Sequence, residues 1–254
     1  MKIDVLGCYG NSIGDFKTTS FLIDDSILLD AGTVTGVLKD EQIKKIKHII
    51  VTHTHLDHIK DLVFLVDELV MMGRYKIELV SVKQVLDIIA NNLFNNLLWP
   101  DFTVIPSYDN AVIKPREIVL NEYTQIGEIT VKPILMTHTV YCVGYVVKKG
   151  EKGFMFTSDT GPTKAFWEQA QKERGIDFII ADVSFPNRMD ELARISGHMT
   201  LNMLIQHLER YDLQNKPVFI THIKPIFLEE IIHELAQLGR PNLRPLIQGE
   251  TIHV

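Results

Sequence analysis

Residues Val51–Asp61 read VTHTHLDHIKD, which puts His53, His55, Asp57 and His58 within six positions. Either these polar groups are incidental to a surface loop or they converge on a metal. An extended segment projects positions i and i+2 to the same side, so His53 and His55 can face one ion. Asp57 and His58 fall where the chain turns into a helix and can face a second. Imidazole and carboxylate are the donors that zinc takes when cysteine is absent. KHIIVTH (47–53) is a compact apolar strand ending on His53, and LVFLVDELVMM (62–72) has the length and density of a buried helix.

The same design recurs further along. ILMTH ends on His138, FMFTSD on Asp159 and VFITH on His222, each an apolar run, then Thr or Ser, then a residue of ligand type. A buried strand delivers its terminal side chain to the sheet edge, where loops build sites on a rigid scaffold. A lone histidine so placed is most simply satisfied by a backbone carbonyl. Three such histidines and an aspartate, added to HTHLDH, argue for one shared centre. Two three-ligand sets need one more group between them. Asp159 can bridge, leaving a shared water or hydroxide as the reactive ligand.

The rest of the chain supplies a frame. KIDVLG (2–7), TSFLID (19–24) and SILLDAG (26–32) are short strand-type runs between turn residues. DEQIKKIK (40–47) reads as an exposed helix, KIELVS (76–81) as a strand and KQVLDIIANNLFNN (83–96) as a helix. LWPDFTVIPSYDNAVIKP (98–115) breaks regularity with three prolines. Strands return in EITVKPILMTH, VGYVVKKG, KGFMFTSD and DFIIADVSF, and the last third alternates TLNMLIQHLERY, PVFITHIK and FLEEIIHELAQLG. Strands then helices in each half predict a layered α/β (α+β) fold: an αββα sandwich of two mixed sheets flanked by helices. No linker divides residues 1–254, so a single domain is expected, with 82–115 as a helical and proline-rich elaboration over the site.

A formal net charge of −6 gives no generic attraction to nucleic acid. Two cysteines, Cys8 and Cys142, exclude a disulfide framework, favour a reducing cytoplasm and read as buried packing residues. The opening MKIDVLGCYG lacks the apolar run of a signal peptide. No stretch approaches the roughly 20 apolar residues of a membrane span. A soluble cytoplasmic protein without membrane contact is the expectation.

HTHLDH resembles the HxHxDH motif of the metallo-β-lactamase superfamily. The likeness runs along nearly the whole chain, from LGCYGNSIG (6–14) and LLDAG (28–32) to LIQGETIHV (246–254). It implies the metallo-β-lactamase fold and two divalent ions, zinc first, with manganese or iron as alternatives. By the same likeness one ion is bound by His53, His55 and His138, the other by Asp57, His58 and His222, with Asp159 bridging. Asp30 of LLDAG either orients a ligand from behind or is a turn aspartate.

Within the superfamily, DVSFPNRMDELARISGHMT (182–200), PVFITHIKP (217–225) and FNNLLWPDF (94–102) look like the class II cyclic-nucleotide phosphodiesterases. The first motif departs from that family: Lys60-Asp61 stands where a Gly and a Ser-Pro element are usual. The resemblance implies hydrolysis of 3′,5′-cyclic nucleotides, cAMP or cGMP, to 5′-monophosphates by a hydroxide shared between two metals. By analogy with ribonuclease Z, His198 protonates the leaving oxygen and Asp182 orients it, unless His198 merely caps the helix near Thr200. Asp57 ligates and holds the hydroxide's proton.

Lys224 either contacts phosphate or is a solvated loop lysine. Trp99 and Phe102 either stack on a base or are lid contacts. His48, His207, His233 and His253 read as surface or core histidines. The expected partner is a small cyclic nucleotide, with no stable nucleic acid and a homodimer by analogy. The alternatives are a ribonuclease Z-like tRNA 3′-processing endonuclease and another hydrolase of this fold, on thioesters or lactones. The net charge argues against gripping a large RNA. A non-enzymatic binding protein on this fold would usually have lost ligands, and all seven are present.

Overall fold

The computed structural model describes residues 1–73 and 76–254. Two seven-stranded sheets carry the fold. The first half of the chain supplies β1 (Lys2–Gly7), β2 (Ser20–Ile23), β3 (Ile27–Leu29), β4 (His48–Ile50), β5 (Ile77–Ser81) and β6 (Ile113–Glu117). The second supplies β7 (Thr124–Ile126), β8 (Ile129–Leu135), β9 (Val143–Lys149), β10 (Lys152–Phe156), β11 (Ile176–Asp182), β12 (Val218–Thr221) and β13 (Leu243–Pro245). A last strand, β14 (Thr251–His253), returns to the first sheet beside β1, pairing Lys2 with His253.

Both sheets are mixed in the same way. From β14 through β1 and β2 to β3 the pairs are antiparallel, and from β3 through β4 and β5 to β6 they are parallel. The second sheet repeats this, antiparallel from β7 to β10 and parallel from β10 to β13. Parallel neighbours need crossovers, usually helical, and every parallel link here carries a helix. These are α1 (Asp40–Ile43), α2 (Leu56–Ile59) and α3 (Leu62–Met71), then α4 (Lys83–Asn92), α5 (Lys164–Lys172), α6 (Asp190–Ser196), α7 (Leu201–Arg210) and α8 (Leu228–Leu238). The architecture is the αββα sandwich expected from the sequence.

β2, β3, β9 and β10 are apolar and almost wholly buried, because each has a neighbour on both edges and a layer on both faces. Phe21 of β2 meets Phe156 of β10 edge to face at 5.3 Å, joining the sheets across the central core. A second apolar layer lies outside the second sheet. There Phe166 and Trp167 of α5, Leu204 and Leu208 of α7 and Ile231 of α8 cover Ile179, Ala181 and Ile220. No helix among the described residues is long and apolar enough to cross a membrane.

The helix expected over 83–96 ends at Asn92, and two further elements differ from expectation. The helix expected over 40–47 stops at Ile43, because the Lys47 N–H turns to the Ser26 carbonyl at 2.8 Å and draws the chain into β4. The proline-broken stretch ending at Pro115 contains the start of β6, where Pro115 lies opposite Leu79. β6 is the last strand of its sheet, and an edge strand has one side on which the missing donor is not needed. Ahead of it, Phe94 and Phe102 anchor the 82–115 segment to the core.

One charged cluster ties α5 to the second sheet. Just past α5, Glu173 receives Lys132 Nζ at 2.8 Å and Gln169 Nε2 at 2.6 Å, and is also paired with Lys148. Burial raises the Glu173 pKa, but the two lysines and Tyr123 outweigh it and bring the carboxyl down to about 2 from its usual 4.5. A depressed carboxyl stabilises the fold above its unfolded pKa, and that contribution is lost as pH falls through the folded one. Glu173→Gln should therefore be less stable than wild type at pH 6, by about 2 kcal/mol after screening. Urea denaturation should show the gap closing as pH falls from about 4.5 towards 2. A gap independent of pH would disprove the assignment.

Candidate metal centre

The strands that run in one direction end at one edge of the sandwich, and the site is built from the loops there. In open α/β sheets this carboxyl edge is where ligands bind. The strands stop earlier than the sequence pattern suggests. β4, β8 and β10 end three residues before His53, His138 and Asp159, and β12 ends one before His222. For β10 and β12 the reason is visible in the backbone. Asp30, Ser158 and His222 adopt left-handed φ values of 59°, 56° and 63°. Such residues are uncommon outside glycine and concentrate at functional sites, where the surroundings hold them in place.

The loops bring all seven expected residues together. His53, His55, His138 and Asp159 form one group whose donor atoms lie within 4.8 Å of one another, and Asp57, His58, Asp159 and His222 form a second. Asp159 belongs to both. Its Oδ2 lies 3.1 Å from His222 Nε2, 3.6 Å from His53 Nε2 and 3.9 Å from His138 Nε2, and its Oδ1 lies 3.2 Å from His58 Nε2. Asp57 Oδ2 is 3.0 Å from His222 Nε2, and His55 Nδ1 is 3.0 Å from His138 Nε2.

The outer nitrogens decide what the inner ones offer. A carbonyl or carboxylate oxygen only accepts. His138 Nδ1–H therefore donates to the Gly197 carbonyl (2.8 Å), and His58 Nδ1–H to Asp30 Oδ2 (2.7 Å). The Thr52 hydroxyl gives its proton to Asp30 Oδ2, so it accepts from His53 Nδ1–H at 3.0 Å. All three rings then turn Nε2 inward; the lowered pKa values of His53 and His138 leave a lone pair there, and His58 gives up its Nε2 proton when a cation binds. The Nε2 atom of His53 is buried and has no hydrogen-bond partner among the described residues. Buried polar atoms left so are rare, and lone pairs aimed at a carboxylate repel it unless a cation lies between. The donor set fits divalent cations. Asp30 is an orienting residue rather than a turn aspartate, since it holds His58 and, through Thr52, His53.

The electrostatics agree. Burial, with His58 beside it, holds His53 well below the usual imidazole pKa, and burial also lowers His55 and His138. Burial opposes charge on His58 too, but Asp159 and Asp30 on either side outweigh it and raise that pKa well above the imidazole range. Burial would neutralise Asp57 and Asp159, yet the neighbouring His222 and His58 keep both below the carboxylate range. Ionised carboxylates beside mostly neutral imidazoles are the state that cation binding requires.

A family model described as a beta-lactamase superfamily domain matches residues 25–223. The chain belongs to the beta-lactamase superfamily. Within the superfamily it is similar to a probable 3′,5′-cyclic-nucleotide phosphodiesterase of Yersinia pestis, 23% identical over 215 residues, 72% of this chain and 59% of that protein. It is also similar to ribonuclease Z of Borrelia duttonii (strain Ly), 28% identical over 162 residues, 59% of this chain and 49% of that protein. The chain thus spans roughly half the length of the curated relatives it matches. Among solved structures, unliganded yeast PDE1 shares the fold with a TM-score of 0.81 at 18% identity, covering 100% of this chain and 99% of that one.

The remaining residues singled out in the sequence of this superfamily member separate cleanly. His198 Nδ1–H donates to Asp182 Oδ2 at 2.7 Å, and both are buried against the second group. Burial lowers the His198 pKa, but the Asp182 charge and hydrogen bond outweigh it and raise it. His198 does not cap the following helix. Thr200 does, accepting from the Met203 N–H at 3.5 Å. Phe102 is buried in the core against Phe94, so it has no face free for a base, and Trp99 packs edge to face on Phe64 at 5.5 Å. Lys224 Nζ lies 5.4 Å over the Phe185 ring. Cys8 and Cys142 are buried and free, and burial pushes the Cys8 thiol up to about 12.

Other supports escape sequence reasoning. Asp61, at the departure from the family pattern, is a buried clamp: its Oδ2 accepts from Val34 N–H at 2.6 Å, Thr35 N–H at 3.0 Å and Thr35 Oγ1–H at 3.1 Å. Gly10 passes so close to His222 that a Cβ there would lie 2.7 Å from the imidazole. Gly197 ends α6 in the left-handed region at φ 68°, with His198 N–H returning to the Ala193 carbonyl at 2.8 Å. A Cβ on Gly197 would lie 3.0 Å from His138 Nδ1. Gly197→Ala should lose at least about 1 kcal/mol of stability and weaken metal retention, because His138 must shift. Denaturant midpoint and metal analysis check this, and an unchanged pair of values would refute it.

Proposed function

We propose that this chain is a metal-dependent phosphodiesterase that hydrolyses 3′,5′-cyclic nucleotides to 5′-monophosphates. The reading rests above all on one observation: a His198–Asp182 pair at 2.7 Å, placed beside the seven-residue cluster. A phosphodiester with an alkoxide leaving group needs a proton donor at the departing oxygen, a service typically worth 10²–10⁴-fold. Asp182 accepts at His198 Nδ1, so the Nε2–H of the protonated ring is the donor to a 3′-oxygen. Likeness to the Yersinia pestis phosphodiesterase and to yeast PDE1 supports the same class.

In this reading His53, His55 and His138 hold one ion, and Asp57, His58 and His222 hold a second, with Asp159 between them. Zinc is the first choice, because the donors are imidazole and carboxylate. Bound there, divalent ions lower the pKa of water and offset charge on phosphoryl oxygens. The protein's own part is to bury the imidazoles, fix their tautomers and keep both carboxylates ionised. Asp57, with 27% of its side chain exposed, can accept a hydrogen bond from the attacking water.

A second reading, cleavage of a tRNA precursor, is favoured by the likeness to ribonuclease Z. The discriminating experiment is a side-by-side assay of zinc-loaded protein on cyclic AMP, cyclic GMP, bis(p-nitrophenyl) phosphate and a tRNA precursor. Turnover of cyclic nucleotides above that of RNA is expected. Turnover of the RNA alone would overturn the first reading in favour of the second.

A further inference from the structure

We propose that Ser184 is a positioning residue whose single hydroxyl ties the outer nitrogen of His222, Nδ1, to the His198–Asp182 pair. The inference rests on the metal reading above and goes beyond it. Ser184 is fully buried just past the end of β11, and four polar atoms surround its Oγ. Asp182 Oδ1 lies at 2.7 Å, His222 Nδ1 at 2.8 Å, His198 Nδ1 at 3.1 Å and the His222 carbonyl oxygen at 3.2 Å.

A hydroxyl has one proton to give and two lone pairs to accept with. The nearest acceptor is the Asp182 carboxylate, so the Ser184 proton goes there. His222 Nδ1 at 2.8 Å must then be a donor to Oγ, which makes His222 the Nδ1–H tautomer. Its Nε2 faces Asp57 Oδ2 and Asp159 Oδ2, 3.0 and 3.1 Å away, where a proton bridges to the carboxylates in the free cluster and a cation takes that proton's place on binding. The same carboxylate that takes the Ser184 proton holds His198 Nδ1–H and the backbone N–H of Thr160, the residue after Asp159. The rings of His198 and His222 stack at 5.0 Å with 16° between their planes. One hydroxyl therefore sets the tautomer of a ligand histidine and the seat of the proton donor together.

Outer partners of ligand histidines typically contribute 10–100-fold to metal affinity or activity. Ser184→Ala should bind zinc about 10–100-fold more weakly at one of two sites, read by chelator competition with zinc alone. It should also slow esters with poor leaving groups more than bis(p-nitrophenyl) phosphate, because His198 loses part of its seat. Ser184→Thr, which keeps the hydroxyl, should restore both readouts, whereas a packing role alone would not make recovery follow the hydroxyl. His222→Ala is measured alongside. Zinc lost from His222→Ala but bound normally by Ser184→Ala, with unchanged leaving-group dependence, overturns this inference alone. Full zinc retention by both variants overturns the metal reading as well.

Discussion

Asp159→Ala is expected to lose bound metal at both groups and to fall by about 10³-fold or more in phosphodiester hydrolysis, since Lewis-acid stabilisation is worth several kcal/mol. The size follows from position. Asp159 is the one residue common to both four-residue groups, and its oxygens face His53, His58, His138 and His222. No other carboxylate of the cluster does this: Asp57 faces His222, and Asp30 stands behind His58. Removing Asp159 also takes away the strongest counter-charge on His58, so its raised pKa should drop. Elemental analysis of the purified variant and its rate on bis(p-nitrophenyl) phosphate provide the test. Two ions per chain with a wild-type rate would remove Asp159 from the centre of the account.

The second large effect concerns the proposed proton donor, His198. His198→Ala should retain its metal, because none of the assigned ligands is altered, and should lose about 10²–10⁴-fold on cyclic nucleotides. On aryl esters, whose leaving groups depart without a proton, the loss should be much smaller. This selectivity separates an acid from a structural prop. A histidine that merely supported its neighbours would slow every substrate alike, and equal slowing across a series of leaving groups would reject the role.

Much of this centre is legible in the sequence, for physical reasons that can be named. HTHLDH is local: its side chains converge through the alternation of an extended segment and the first turn of α2, both set within six residues. His138, Asp159 and His222 are legible because each follows an apolar run that only a buried strand explains. Ser184 is not, since it sits at the end of the strand-type run DFIIADVSF and its hydroxyl acquires meaning only when β11 and β12 bring residues 182 and 222 together. Gly10 is silent for the same reason, as its constraint comes from an imidazole more than two hundred positions away. β6 and β14 are hidden because an edge strand of three to five residues, one with a proline at its centre, carries little periodic signal. The left-handed turns at Ser158 and His222 leave no compositional trace, which is why β10 and β12 read as running on to their ligand residues.

The pairing pattern repeated in the two sheets has a mechanical consequence. His53, His55, Asp57 and His58 hang from one sheet and His138, Asp159 and His222 from the other, so the cluster straddles a seam. A cation seated there would act as a rivet between two halves that otherwise meet through the apolar core and a few hydrogen bonds, such as Tyr145 Oη–H to the Val51 carbonyl at 2.9 Å. Chelation should then lower the melting temperature as well as abolish turnover, and titrating zinc back should raise it by mass action, about 2.7 kcal/mol at a hundredfold excess over the dissociation constant.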